Sequence, residues 1–88
     1  MPADATEKII VVYGTTRCSD CWRAKQILDS QRAPYRWINI EQDPEAAAVV
    51  QNLNHGMRSV PTIVFPDGSV LVEPSNAELQ KKVAQGSR

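Results

Sequence analysis

The segment KIIVVYGTTRCSDCWRAK, residues 8–25, joins an apolar run to both cysteines of the chain. Its first part, Lys8 to Gly14, is rich in β-branched residues and ends at glycine, a pattern typical of a strand covered on both faces. Helical periodicity follows, with one apolar face that comprises Cys21, Ala24, Ile27 and Leu28. The stretch therefore predicts a buried strand that leads, through Cys18, directly into a helix.

Two further patterns predict a second strand and a second helix. YRWINI, residues 35–40, is interpreted as a strand that places Tyr35 and Trp37 inward. Asp43 is a favourable N-cap residue, and Pro44 suits the first position of the helix after it. The inward stripe of this second helix is predicted to comprise Ala46, Val49, Val50 and Leu53.

The remaining sequence predicts a hairpin and a last helix. TIVFPDGSVLV, residues 62–72, places two β-branched runs around Asp67-Gly68, a strong turn signal. Ser75 and Glu78 then form an S-x-x-E capping box. The predicted order is β-α-β-α-β-β-α, an α/β fold. A right-handed crossover makes the first two strands parallel, and helices cover both faces of the sheet.

Length and charge restrict the classes of function. The chain has 88 residues, so we expect a single domain, residues 1–88, with a core of about residues 8–85. Ten basic residues balance ten acidic ones, which argues against a nucleic-acid or anionic-membrane partner. The first eight residues include acidic residues where a signal peptide needs basic ones, and the apolar run after them is too short for a signal peptide or a membrane span. We therefore expect a cytoplasmic, monomeric protein.

The position of the C-x-x-C pair predicts redox chemistry. The first amides of a helix lack partners within the helix and the helix dipole is positive there, so both favour a thiolate on Cys18. Cys21, one turn later, would lie within disulfide reach and be the more buried of the two. Arg17 would favour the charged form of Cys18, whereas Asp20 would oppose it. We therefore expect these two residues to tune the ionisation of Cys18.

Other interpretations of the two cysteines remain open from the residues alone. They could be inert structural thiols, or half of a metal site, since zinc requires four ligands and His55 is the only further candidate outside the carboxylates. A dimer that shares a zinc ion or an iron–sulfur cluster could supply four thiolates. A non-catalytic interaction module is a third possibility. In a reducing compartment, redox use is favoured over these.

Four segments of the chain carry a resemblance to a known family. VYGTTRCSDC, INIEQDPEA, SVPT and PDGSVLVEPS together resemble the glutaredoxin family of the thioredoxin fold, and most of all its mycoredoxin branch. The resemblance spans about residues 8–85. It implies a four-stranded mixed sheet in the order 2-1-3-4, with Cys18 as the nucleophile and Cys21 as the resolving thiol.

The same resemblance implies how a substrate is held. From base rates the Val60–Pro61 bond would be expected to be trans, but the resemblance implies a cis bond packed against the cysteines. The backbone of Val60 would then pair with the substrate like an added strand, and Thr16 and Arg58 would help to shape the thiol-binding groove.

The implied activity is that of a small thiol–disulfide oxidoreductase. It would reduce mixed disulfides or protein disulfides with a low-molecular-weight thiol of the mycothiol or glutathione type as co-substrate, and it would bind no metal or organic cofactor. Two features depart from the glutaredoxin pattern: Ser19-Asp20 replaces Pro-Tyr between the cysteines, and VEPSNAE, residues 72–78, replaces a Gly-Gly-x-x-Asp segment. The alternatives are a dimeric iron–sulfur or metal carrier that uses the same cysteines and an electron donor coupled to thioredoxin reductase.

Overall fold

The computed structural model describes residues 9–86, and the order of its elements is the predicted one. The elements are β1 (Ile10–Gly14), α1 (Ser19–Ser30), β2 (Tyr35–Asn39), α2 (Pro44–Leu53), β3 (Thr62–Val64), β4 (Val70–Val72) and α3 (Asn76–Gly86). Lys8, which the sequence pattern places in the first strand, lies outside the described residues. Within residues 9–86, each helix is too short or too polar to cross a membrane.

The four strands form one mixed sheet in the order β2-β1-β3-β4. β1 and β2 are parallel, in a register that pairs Ile10 with Tyr35 and Gly14 with Asn39. β3 pairs antiparallel with both β1 and β4. Because β1 is central and ends at Gly14, its carboxyl end delivers the chain to the start of α1 in the middle of the sheet. The sheet order that the resemblance implies is therefore confirmed.

The two faces of the sheet are covered unequally. α1 and α3 pack on one face, where they bury a cluster that comprises Ile10, Val12, Ala24, Ile27, Leu28, Ala33, Ile63, Phe65, Leu79 and Val83. α2 alone covers the other face, with the smaller cluster Ile40, Ala46, Ala47 and Val50. As a result β1 is not fully buried on both faces: Ile10, Val12 and Gly14 are buried, whereas Val11 and Tyr13 are half-buried. The expectation of a strand covered on both faces is thus correct for one face only.

The inward stripe of α2 differs from the predicted one. Ala46, Ala47 and Val50 are buried, but the side chains of Val49 and Leu53 are 40% and 42% exposed. Among residues 9–86, α2 is the only helix on its face of the sheet, so only a narrow side of it meets other elements. Ala47, which the predicted stripe omits, is buried as part of that side.

The predicted hairpin is confirmed, and α3 is tied to its turn. Gly68 adopts a φ of +91°, a conformation that glycine accepts without strain. The Asp67 carboxylate accepts hydrogen bonds from the amide and hydroxyl of Ser69 and forms a 3.1 Å ion pair with Lys82 of α3. The bonds from Ser69 and then Lys82 hold the pKa of Asp67 below its ordinary value. Lys82 also lies over the ring of Phe65, 5.4 Å from the ring centroid.

Candidate active site

Cys18 is the N-cap residue of α1. Its backbone is extended, with φ −91° and ψ 111°, and its Sγ accepts a hydrogen bond from the backbone N–H of Cys21 over 3.1 Å. Its carbonyl accepts the first intrahelical bond, from the amide of Trp22. The side chain is half-buried and the thiol is free. The sulfur therefore occupies the place of a capping oxygen, where helix amides and the helix dipole favour negative charge.

Cys21 lies one turn later, in a different environment. It is a free thiol and its side chain is fully buried. Burial, followed by the hydrogen bond with Cys18, raises the pKa of Cys21 to about 12 from its ordinary value of 9.0. At neutral pH this thiol is therefore protonated. The pair thus combines one accessible sulfur at a helix start with one sulfur that must lose a proton before it can react.

Gly14 allows the buried sulfur to approach the sheet. A Cβ atom at this position would lie 2.5 Å from Cys21 Sγ and 2.8 Å from Cη2 of Trp37, so no larger residue fits without displacing one of them. Sequence reasoning interpreted Gly14 only as the end of a strand. A glycine at the end of a buried strand, four residues before a cysteine, is the signal that could have indicated a close approach.

The loop that precedes β3 lies against Cys18. Its Val60–Pro61 bond is cis, as the resemblance implies. The Cys18 thiol donates to the carbonyl of Val60 at 3.9 Å, across 42 positions of the chain. Thr62 Oγ1 donates to the Ser59 carbonyl over 2.7 Å and accepts from the Asn54 amide over 3.1 Å. These bonds attach the loop to the carboxyl end of α2, and within the loop Val60 lies against Cys18.

The remaining predicted site residues are exposed. Thr16 and Arg17 directly precede Cys18, and Arg58 lies two residues before Val60. The carbonyl of Thr16 accepts a hydrogen bond from Nε1 of Trp22 over 3.2 Å. Asp20 pairs with Arg23 over 2.8 Å, with both side chains half exposed. The carboxylate predicted to oppose ionisation of Cys18 thus has a cation of its own on the same helix.

A stack of two indoles around an ammonium group lies beside the cysteines. Nζ of Lys25 is 4.4 Å from the ring centroid of Trp22 and 4.0 Å from that of Trp37. Trp22 is 53% exposed, whereas Trp37 is half-buried and packs against the larger core cluster. The i, i+3 spacing of Trp22 and Lys25 could have predicted the first contact, but the second joins α1 to β2 and depends on the tertiary fold.

The described residues offer no ready-made metal centre. Among residues 9–86, no group of three or more His, Cys, Asp and Glu side chains is arranged to hold a metal ion. Cys18 and Cys21 could supply two thiolates, so a four-ligand site built on them would require a second copy of the chain or external thiols.

Comparison with known proteins agrees with this geometry. The glutaredoxin family model matches residues 10–71. A Mycobacterium tuberculosis protein named "Putative glutaredoxin" is 38% identical over 86% of this chain and 90% of its own length. Mycoredoxin 1 of Corynebacterium glutamicum is 35% identical over 84% of this chain and 91% of its own length. The crystal structure of the thioredoxin-like protein BC3987 superposes with a TM-score of 0.73 at 26% identity, covering 82% of this chain and 96% of that one. The chain therefore belongs to the glutaredoxin family of thiol–disulfide oxidoreductases.

Proposed function

We propose that this protein reduces mixed disulfides and protein disulfides through Cys18 and Cys21, with a low-molecular-weight thiol as co-substrate. The observation that carries the proposal is the 3.1 Å hydrogen bond from the Cys21 amide to Cys18 Sγ at the start of α1. A helix amide aimed at a sulfur stabilises that sulfur as a thiolate, which is the attacking form and also the leaving form in disulfide exchange.

The reaction begins with Cys18. Its thiolate attacks one sulfur of the substrate disulfide, a bond forms between Cys18 and that sulfur, and the other substrate sulfur leaves as a thiolate that takes up a proton from water. Two routes then free Cys18. In the monothiol route a second small thiolate attacks the mixed disulfide. In the dithiol route Cys21 loses its proton and attacks Cys18 Sγ, which releases the bound thiol and leaves a Cys18–Cys21 disulfide for later reduction.

The loop at Val60 and Pro61 supplies the substrate groove in this proposal. Val60 contacts Cys18, so a disulfide placed at Cys18 brings its peptide backbone beside Val60, where it can pair as an added strand. Thr16 precedes Cys18 on the other side, and Arg58 offers an exposed guanidinium that can donate hydrogen bonds to polar oxygen atoms of the bound thiol. Arg17, also exposed, adds positive charge next to the nucleophile.

We further propose mycothiol, in preference to glutathione, as the natural small thiol. The segment of residues 72–78, VEPSNAE, lacks the Gly-Gly-x-x-Asp pattern with which glutaredoxins hold the γ-glutamyl end of glutathione. A relative that shares 35% identity over 84% of the chain is named mycoredoxin. Both observations favour a thiol without a γ-glutamyl group.

One experiment tests the activity and the choice of thiol together. Turnover of one mixed-disulfide substrate and of one protein disulfide is measured with mycothiol, with glutathione and with thioredoxin reductase. The measurement is made for the wild-type protein and for Cys18→Ser and Cys21→Ser. We expect Cys18→Ser to lose turnover entirely and mycothiol to support the faster rate. If Cys21→Ser still turns over the mixed disulfide but no longer reduces a protein disulfide, the small-molecule reaction uses the monothiol route.

The proposal has clear contrary outcomes. Retention of turnover in Cys18→Ser would refute the assignment of the nucleophile. Equal rates with the two thiols would refute the preference for mycothiol, and turnover only with thioredoxin reductase would replace the small thiol by that enzyme as reductant.

A further inference from the structure

The buried sulfur of Cys21 and the ring of Trp37 face each other across the backbone of Gly14. The Cβ that Gly14 lacks would lie 2.5 Å from Cys21 Sγ and 2.8 and 2.9 Å from two ring carbons of Trp37. The sulfur and the indole edge therefore flank the same small space, as in a sulfur–aromatic contact. Trp37 reaches this place from β2, where its backbone pairs with Val12.

Trp37 is also attached to the helix that carries the cysteines. Nζ of Lys25, one turn after Cys21 on α1, lies 4.0 Å from its ring centroid and 4.4 Å from that of Trp22. A cation over an indole face is attracted by the electron density of the ring. Nε1 of Trp22 in turn donates to the Thr16 carbonyl. The Trp37 ring thus contacts α1 through Lys25. Lys25 also contacts Trp22, which is hydrogen-bonded to the segment before Cys18.

Trp37 is half-buried, so part of the residue is in contact with solvent. Because its ring edge lies beside the space next to Cys21 Sγ, loss of the ring would bring water closer to the sulfur.

We propose that Trp37 is a positioning residue for Cys21: with Gly14 it keeps the resolving sulfur in its buried place, and it thereby sets how fast a mixed disulfide on Cys18 is resolved within the protein. The inference deepens the proposed function, since it assumes that Cys18 forms the mixed disulfide. Trp37 itself does not touch the substrate disulfide in this scheme. It acts through the environment of Cys21.

The electrostatics of Cys21 support this role. Burial is the largest cause of its raised pKa, and Cys18 and Asp20 raise the pKa further, while a backbone hydrogen bond with Thr15 lowers it. Lys25 is held over the Trp37 ring. Trp37 adds to the burial around Cys21 and carries no charge, so it favours the protonated form of the Cys21 thiol. Removing the ring should lower the barrier to ionisation.

The test separates the two sulfurs in time. The reduced protein is mixed with a symmetrical aromatic disulfide whose thiolate is coloured, and release is followed by stopped flow. Attack by Cys18 releases the first aromatic thiolate and leaves the second half on Cys18. Attack by Cys21, after its proton is lost to water, forms the Cys18–Cys21 disulfide and releases the second thiolate. The first phase reports Cys18 and the second reports Cys21.

The variant Trp37→Ala should change only the second phase. Each unit by which the Cys21 pKa falls raises its thiolate fraction about tenfold and lowers its nucleophilicity about threefold, a net acceleration of about threefold near neutral pH. The pH profile of the second phase should move to lower pH, while the first phase stays as in the wild-type protein. Trp37→Phe, which keeps an aromatic ring, should retain the wild-type profile, and Gln26→Ala on the exposed side of α1 serves as the matched control.

A second variant keeps the test decisive if Trp37→Ala does not fold by circular dichroism. Gly14→Ala places a methyl group between the ring and the sulfur, so it should change the rate of the second phase and leave the first. Superimposable second-phase pH profiles for the wild-type protein and Trp37→Ala would overturn the inference, as would a shift in Trp37→Phe as large as that in Trp37→Ala. If Trp37→Ala is unfolded, an unchanged second phase in Gly14→Ala would overturn it. Absence of the first phase in the wild-type protein would instead refute the proposed function.

Discussion

Cys18 occupies a position at which serine, threonine, aspartate or asparagine usually caps a helix. Its sulfur accepts the amide of Cys21, as a capping oxygen would. A cysteine is not a strong capping residue, so its presence here costs some helix stability relative to serine. What it offers in return is a sulfur whose charged form is stabilised by the helix start, in a half-buried position that a substrate disulfide can reach.

We expect Asp20 to influence Cys18 less than its position between the cysteines suggests. Its carboxylate pairs with Arg23 over 2.8 Å, an i, i+3 pair on the surface of α1. Exposed pairs of this kind are worth only about 0.2–0.5 kcal/mol. The arginine nevertheless offsets part of the field that the carboxylate exerts on the nearby sulfur.

We therefore predict a small effect for Asp20→Asn. Alkylation of Cys18 near neutral pH should accelerate by about twofold or less, since the like charge that opposes the thiolate is removed. Arg23→Gln should slow alkylation slightly, because it leaves Asp20 uncompensated. The measurement is the rate of reaction with iodoacetamide in a Cys21→Ser background. Slower alkylation in Asp20→Asn would contradict the proposed opposition between Asp20 and the thiolate.

At the scale of the elements, local signals decide where each helix begins. The predicted N-cap of α2 is confirmed, since Asp43 Oδ1 accepts the amide of Ala46 over 3.1 Å. The predicted capping box of α3 is confirmed in both directions: the Glu78 amide donates to Ser75 Oγ over 3.1 Å, and the Ser75 amide donates to Glu78 Oε1 over 2.9 Å. α3 then buries Leu79 and Val83 against the core, so the cap positions part of that core.

Ser75→Ala should therefore destabilise the protein by about 1 kcal/mol, the usual cost of losing an N-cap side chain. Urea unfolding of the reduced protein measures the change. Gln80→Ala, an exposed position on the same helix, is the matched control and should leave the free energy of unfolding within about 0.5 kcal/mol of the wild-type value. An equal loss in the two variants would contradict a specific role for the Ser75 cap, since alanine itself is a good helix former.

At the scale of the whole molecule, the fold keeps one ionisable group out of water. The fully buried Cys21 has a pKa of about 12 in the folded chain against an ordinary value of 9.0. Between pH 9 and pH 12, therefore, the folded state keeps the thiol proton of Cys21, whereas the unfolded state releases it. Its contribution to stability is complete below about pH 9 and is lost as the pH rises toward 12.

We predict that the free energy of unfolding of the reduced protein falls with pH above about 9. Burial also raises the pKa of Tyr13 and of Tyr35 above 10.0, so these groups act in the same direction. Cys21→Ala isolates the contribution of the thiol. In this variant the free energy of unfolding should fall less steeply with pH, by up to about 1.4 kcal/mol per pH unit, which corresponds to the release of one proton. Urea midpoints between pH 8 and 11 give both slopes, and identical slopes would show that the thiol is not buried in solution.

Short-range sequence patterns suffice to predict the order of the elements, the helix starts, the hairpin turn and the place of the two cysteines at the start of a helix. Each of these depends on residues within a few positions of one another: periodicity, capping side chains, an Asp-Gly turn and the C-x-x-C spacing. The same local reasoning overestimated the inward stripe of α2, because periodicity does not reveal how many neighbours a helix has. Val49 and Leu53 are exposed for that reason.

The surroundings of the two cysteines, in contrast, depend on the tertiary structure. Val60 meets Cys18 across 42 positions of the chain, and Trp37 and Cys21 Sγ both approach Gly14. Trp37 is brought there by the parallel register of β1 and β2. No short-range pattern contains these contacts, because they arise where separate elements converge at the carboxyl end of the central strand. The identity of the reactive sulfurs is therefore local information, whereas the burial of Cys21 is a property of the assembled fold.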